Sequence, residues 1–125
     1  MQTILLIALR QPVAELLMQK MRDVPGVRLI NEPDYVKFSG AVASYGADTI
    51  LIEVQETGEH GMDYCLSLCS KLRKEAPGCR ALLLCPERDA NGISAAVEAK
   101  RDGRIDDFLF YNATTDYITS KLLAM

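Results

Sequence analysis

The chain alternates short apolar runs with segments of helical period. Thr3–Leu9 (TILLIAL) is a run of strand length. Gln11–Val24 then sets Val13, Leu16, Leu17, Met21 and Val24 at helical spacing, with Pro12 where a first turn tolerates it. Pro25 and Gly26 break the pattern, and Val27–Ile30 reads as a weaker second strand. Pro33 and Asp34 open a helix whose inward face is Tyr35, Phe38, Val42 and Tyr45, ended by Gly46. Thr49–Val54 (TILIEV) is a third strand, apolar until Glu53, and Gln55–Gly61 is a polar loop. Met62–Glu75 predicts a helix that buries Met62, Cys65, Leu66, Cys69 and Leu72, stopped by Pro77 and Gly78. Ala81–Cys85 is a fourth strand, Asn91–Lys100 a helix using Ile93, Ala96 and Val97, Asp107–Tyr111 a fifth strand and Thr115–Leu123 a last helix.

Five strand-then-helix units predict an α/β domain with a doubly wound parallel sheet, helices on both faces and right-handed crossovers. The first, third and fourth strands are the most uniformly apolar and therefore central, which is the flavodoxin-like order 2-1-3-4-5. At 125 residues, with no linker, repeat or low-complexity stretch, the chain reads as a single domain over 1–125. Apolar residues at 49% and charged residues at 25% exclude a disordered chain. A net charge of −3 argues against direct nucleic-acid binding, which depends on neutralising phosphates. No apolar stretch approaches the ~20 residues of a membrane span. The opening MQTILLIALRQP lacks the basic segment and cleavage site of a secretory leader. The expectation is a cytoplasmic protein with reduced thiols and no membrane association.

Sheets of this kind bind ligands beyond the carboxyl ends of the strands, where strand order reverses. That directs attention to Ala8, Leu9 and Arg10, to Glu53 through Glu56, to Cys85 and Pro86, and to Phe110 and Tyr111. Cys65 and Cys69 lie four apart, but further ligands at matching spacing are missing and His60, the single histidine, falls in a loop. They read as buried thiols, and Cys85 as packing. The loop ETGEHG lacks the spacing of a Walker loop or dinucleotide fingerprint, and its glutamates repel phosphate. ALRQP has neither the hydroxyls nor the glycine of a flavin phosphate loop, so no cofactor is expected. Lys71, Arg73, Lys74 and Arg80 read as a solvated basic helix end. Asp106 and Asp107 are adjacent on a strand, point to opposite faces and cannot converge on one substrate.

ADTILIEVQETGEHGMD resembles the third-strand segment of bacterial response-regulator receiver domains. There an aspartate ends the strand, with a proline four residues on and a glycine eight on; here those places hold Glu53, Thr57 and Gly61. RIDDFLFYNAT is similar to the family's fifth-strand segment, with Asp106, Asp107 and Phe108 in register and Tyr111 and Asn112 in place of its lysine and proline. ILLIALRQPVAELL resembles the opening strand and helix, with Leu9 and Arg10 at the family's acidic pair. Cys85 stands where a serine or threonine is usual.

The resemblance implies a signalling module of a two-component or phosphorelay response regulator, and it implies that the chemistry has been lost. Receivers as a family accept phosphate from a histidine kinase on the third-strand aspartate, with magnesium held by that residue and the acidic pair. Leu9 offers the metal no oxygen, and Arg10 brings a positive charge. Tyr111 cannot supply the lysine's cation, and a nucleophile misplaced by about 1 Å can lose on the order of 10²-fold in rate. The expectation is therefore a module that is not an enzyme, binds no metal, is not phosphorylated and acts through protein contacts. Glu53 and Arg10 are expected to face each other across the site; the alternative is two separately solvated side chains. Glu53 could instead imitate a phosphorylated aspartate, but the lysine and hydroxyl that would hold its distal charge are missing. Family members commonly dimerise or dock partners through helix four, strand five and helix five, which here would include Ile93, Phe108, Phe110, Tyr117 and Lys121. A homodimer is implied, with a histidine kinase or an output domain as protein partners. Two other readings stay open: a working phosphoacceptor with an atypical site, and a small-ligand binder using the same crevice.

Overall fold

In the computed structural model, which describes residues 1–124, five parallel strands form one sheet. They are β1 (Gln2–Ile7), β2 (Val27–Glu32), β3 (Thr49–Glu53), β4 (Arg80–Cys85) and β5 (Asp107–Phe110), in the order β2-β1-β3-β4-β5. The helices are α1 (Gln11–Met21), α2 (Phe38–Tyr45), α3 (Met62–Glu75), α4 (Ala90–Arg101) and α5 (Thr115–Leu123). This is the flavodoxin-like sheet that the alternating pattern predicts.

Strand alternation divides the core into two layers. Leu5, Ile7, Ile50, Ile52 and Leu83 pack with residues of α2, α3 and α4. Ile4, Leu6, Leu51, Leu82 and Leu84 pack with Ala14, Leu17 and Met21 of α1 and with Ile118 and Leu122 of α5. Each such fully buried aliphatic side chain contributes about 1.5–3 kcal/mol, which makes the central strands a rigid base for whatever sits at their ends. Glu53 pairs with Leu84 in register, and the Val54 N–H donates to the Leu84 carbonyl at 2.9 Å.

The helix pattern breaks where local bonds compete with it. The segment after Pro33 opens as a 3₁₀ turn, Tyr35–Lys37, because the Asp34 carboxylate accepts from the Val36 N–H. α1 stops at Met21, three residues before Val24, as Arg22 turns back to bond Gln19. β2 runs on to Glu32, whose carbonyl accepts from Ala8 N–H. Tyr111 lies just past β5 rather than in it.

Three residues assigned to inward faces are outside: Leu16, Tyr45 and Val97 are 51%, 42% and 41% exposed. On α1 and α4 the seats against the sheet go instead to rows that include the small residues Ala14, Ala96 and Ala99. Small side chains let a helix approach closely, so the stripe richest in bulk is not the stripe that is buried. The basic cluster also needs correction. Arg73 bonds the Asp106 carboxylate at 2.7 Å and the carbonyls of Cys79 and Arg104, while Arg80 donates to the carbonyls of Lys121 and Leu122 at the end of α5. These two arginines tie elements together and are not merely solvated.

Candidate functional site

The site begins with a turn that ordinary residues avoid. Ala8, directly after β1, has φ +56°. The left-handed conformation costs an L-residue roughly 1–2 kcal/mol. It turns the chain so that Leu9, 5% exposed, packs into the α1/α5 layer. Arg10 then becomes the residue before α1, with no side-chain cap of its own. Its guanidinium reaches over the end of β3, placing Nε 3.3 Å from Glu53 Oε2. The same group lies over the Tyr111 ring, with Cζ 4.2 Å from the centroid.

The pair is asymmetric. Glu53 is 4% exposed, whereas the Arg10 side chain is 56% exposed. The contact misses hydrogen-bond alignment, and among the described residues Oε2 finds no other donor. The attraction is thus mainly Coulombic. Burial pushes the Glu53 carboxyl above the usual carboxylate range, and the charge and backbone N–H of Arg10 oppose that shift only in part.

Two phenols secure the backbone around this carboxylate. Tyr35 donates its hydroxyl proton to the Glu53 carbonyl, and Tyr111 donates to the Val54 carbonyl. Burial is the main cause that raises both phenol pKa values, so both remain donors at neutral pH. His60 stacks on Tyr35 with ring centroids 4.1 Å apart and meets Tyr64 edge-on at 4.7 Å. The Gln55 N–H bonds the His60 carbonyl at 2.9 Å, folding the loop after β3 back onto these rings. Sequence reasoning placed Tyr35 in the core and set His60 aside. The available signal was a tyrosine in an apolar row, whose hydroxyl must find a partner when buried.

The remaining sequence candidates play other parts. Cys85 is fully buried, and burial pushes its thiol up to about 12. Cys65 is raised to about 12 by the same cause, so neither is a nucleophile here. Ile93, Phe108 and Phe110 lie on the α4 side of the edge strand β5, with the two phenylalanine rings edge to face at 5.8 Å. Tyr117 and Lys121 belong to α5 on the opposite side. Tyr117 is 50% exposed. Lys121 is held 3.2 Å from Asp107, which also pairs with Lys100 at 3.1 Å. Burial by itself would raise the Asp107 pKa, but the Phe108 N–H and the two ammonium groups together leave it lowered.

A divalent cation does not fit beside Glu53. Magnesium requires several oxygen ligands in near-octahedral array. Here the carboxylate meets a guanidinium at 3.3 Å, and Leu9 offers a buried alkyl group. Among the described residues, no group of three or more His, Cys, Asp or Glu converges in a way that could hold a metal ion.

Solved structures share this architecture. The signal receiver domain of an HD-domain-containing protein from Pseudomonas fluorescens has a TM-score of 0.76 at 19% identity, covering 97% of this chain and 83% of that one. A response regulator from Thermotoga maritima gives 0.74 at 17% identity, covering 96% and 92%. An adenylate cyclase from Rhodopirellula baltica gives 0.77 at 17% identity, covering 97% and 84%. At these identities the likeness shows the fold, and the fold is that of response-regulator receiver domains. No family model matches the sequence, and no curated protein matches it.

Proposed function

We propose that this receiver fold serves as a signalling module that is not phosphorylated and works through contacts with other proteins. The observation that carries the proposal is the Arg10–Glu53 pair. The carboxylate stands at the end of β3, where receivers carry their acceptor, but it is almost wholly buried and its counter-charge belongs to the chain itself. A tethered guanidinium cannot coordinate phosphoryl oxygens as a magnesium ion would, and it stands against the carboxylate that would have to ligate such an ion. Without nucleophile access and charge neutralisation, phosphoryl transfer has no source of rate enhancement.

Signalling then rests on surface. The face around β5 offers Ile93, Phe110, Tyr117 and Lys121 to a second copy of the chain, or to a kinase or output domain, with Phe108 backing Phe110. The exposed ring of Tyr117 suits it for an anchor, since large amphipathic rings dominate interface energies. Among the described residues, no helix is long and apolar enough to cross a membrane. Our reading places the module in the cytoplasm, where its four free thiols would stay reduced.

The test is incubation with magnesium and acetyl phosphate, followed by intact-mass spectrometry under acidic and alkaline quench. The expected result is no phosphoryl adduct. An acid-stable, base-labile adduct on Glu53 overturns the proposal. Sedimentation at two concentrations, with Tyr117→Ala as comparison, tests the contact surface separately.

A further inference from the structure

β2 closes one side of the sheet and pairs only with β1. The carbonyls of Gly26 and Glu32 accept from Gln2 and Ala8 at the two ends of that pairing. Backbone direction alternates along a strand, so Arg28, Ile30 and Glu32 bond toward β1, while Val27, Leu29 and Asn31 turn their N–H and C=O groups away from the sheet. Proteins usually guard such an edge with a proline, a bulge or repelling charges. β2 has no proline, and its register with β1 runs unbroken from Val27 to Glu32, so no bulge bends it.

Its two charges have opposite signs and stand symmetrically about Ile30. Arg28, Ile30 and Glu32 share the face toward α2. Ile30 packs on the α2/α3 layer, and Arg28 lies over the Tyr45 ring and donates to the Tyr45 carbonyl at 2.9 Å. Glu32 accepts from the Asp34 N–H at 3.0 Å and lines, with Val36, Gly40, Ser44 and Tyr45, a groove of about 390 Å³ beside the edge. Val36 in that groove is 82% exposed. Among the described residues, neither Arg28 nor Glu32 has an opposite charge within 4 Å. The other charges near Glu32 are Asp34 and Lys37, both exposed and opposite in sign, so they leave the local balance to Arg28 and Glu32.

We infer that β2 receives the β2 strand of a second copy of this chain, antiparallel, about a twofold axis at Ile30. In that register Ile30 meets Ile30 of the other copy, and Arg28 meets Glu32 twice. Leu29 and Asn31 then stand opposite each other and exchange N–H···O=C bonds through the groups that now face outward. Opposed β-branched residues and opposite charges are the pairs that stabilise neighbouring strands. Moving the axis to Leu29 would set Arg28 against Ile30 and Glu32 against Gly26. Moving it to Asn31 would bring Pro33, which has no N–H, against Leu29. The pairing is self-complementary and closes as a dimer. It goes beyond the reading given above, since it uses neither Glu53 nor the surface around β5, which lies at the other side of the sheet.

Sedimentation velocity of the whole chain carrying Tyr117→Ala separates the two surfaces. The expected result is a dimer that forms with rising concentration. Adding Arg28→Glu, which sets two glutamates against each other at both ends, should weaken association about tenfold or more, and Arg28→Glu with Glu32→Arg should restore it. Circular dichroism checks that each variant is folded. Ile30→Cys gives a second measurement: its Cα atoms would lie about 4.5 Å apart across the axis, within disulfide reach. Mild oxidation should link Ile30→Cys chains covalently and leave Ser67→Cys, exposed on α3, unlinked. A chain that stays monomeric with Tyr117→Ala at its highest soluble concentration overturns the inference, whatever the surface around β5 does. So does association that Arg28→Glu leaves unchanged, or Ser67→Cys linking as readily as Ile30→Cys.

Discussion

Replacing Arg10 with alanine isolates the interaction on which the site is built. At 3.3 Å, and with an effective dielectric constant near 20, the attraction between Arg10 and Glu53 is about 5 kcal/mol before desolvation. Burying Glu53 consumes much of that, and the half-exposed guanidinium is screened, so the net coupling should be about 1–2 kcal/mol. Loss of the stacking on Tyr111 adds about 0.5–1 kcal/mol that does not depend on pH. The sign of the pH dependence follows from Glu53. Its folded value is raised above the ordinary 4.5, so its contribution is most favourable below that value and declines as pH rises through the raised one. Arg10 limits the decline, and removing it raises the folded value further. The deficit of Arg10→Ala should therefore be about 1 kcal/mol well below the ordinary carboxylate value, where Glu53 is protonated in both states, and about 2–3 kcal/mol near pH 8. Urea unfolding followed by far-ultraviolet circular dichroism measures both, and Glu53→Gln completes a double-mutant cycle. With Gln at 53, the extra cost of Arg10→Ala at high pH should vanish. A coupling near zero, or a deficit no larger at high pH than at low, would falsify the account of Arg10 as an internal counter-charge.

Other consequences can be checked on the same footing. Ala8→Val should destabilise by about 1–3 kcal/mol, because a β-branched residue resists the left-handed turn at φ +56°, whereas Ala8→Gly should be neutral or slightly stabilising in the same urea assay. Gly92→Ala would place a Cβ 2.2 Å from Asp89 Oδ2, the carboxylate that caps α4, and loss of that cap should lower stability by about 1 kcal/mol. All four cysteines are buried, and burial pushes Cys69 up to about 12 and Cys79 up to about 11. Native protein near pH 8 should accordingly leave a disulfide reagent unreacted until denaturant is added; rapid labelling without denaturant would contradict the packing described. Tyr35→Phe removes the donor to the Glu53 carbonyl and should cost about 1 kcal/mol, with faster amide exchange in the loop 55–61.

The strand order and the spans of α3 and α5 could be read from the chain, because uniform apolarity marks strands covered on both faces and period marks a helix. α3 was bounded by Pro77 and Gly78, which no helix passes easily, and its inward row was complete from Met62 to Leu72. The outward turn of Leu16 and Val97 could not be read, because a helix docks on whichever stripe allows the closest approach, and alanines supply that without adding hydrophobic signal. The site was half legible. Resemblance brought Glu53, Arg10 and Tyr111 to the same crevice, while the stacking of Arg10 on Tyr111 and the anchoring of the loop by Tyr35, His60 and Tyr64 had no local signature.

What the amino-acid order determined by itself was periodicity: where strands and helices lie, which strands are central, and that the end of the third strand carries a carboxylate with no acidic pair to share a metal. Tertiary structure decided the burial of that carboxylate, the approach of a guanidinium to 3.3 Å and the groove beside the free edge of β2. The division has a physical cause. Period and residue type act over a few neighbours along the chain, whereas burial, charge pairing and cavity shape depend on how separate elements settle against one another in three dimensions.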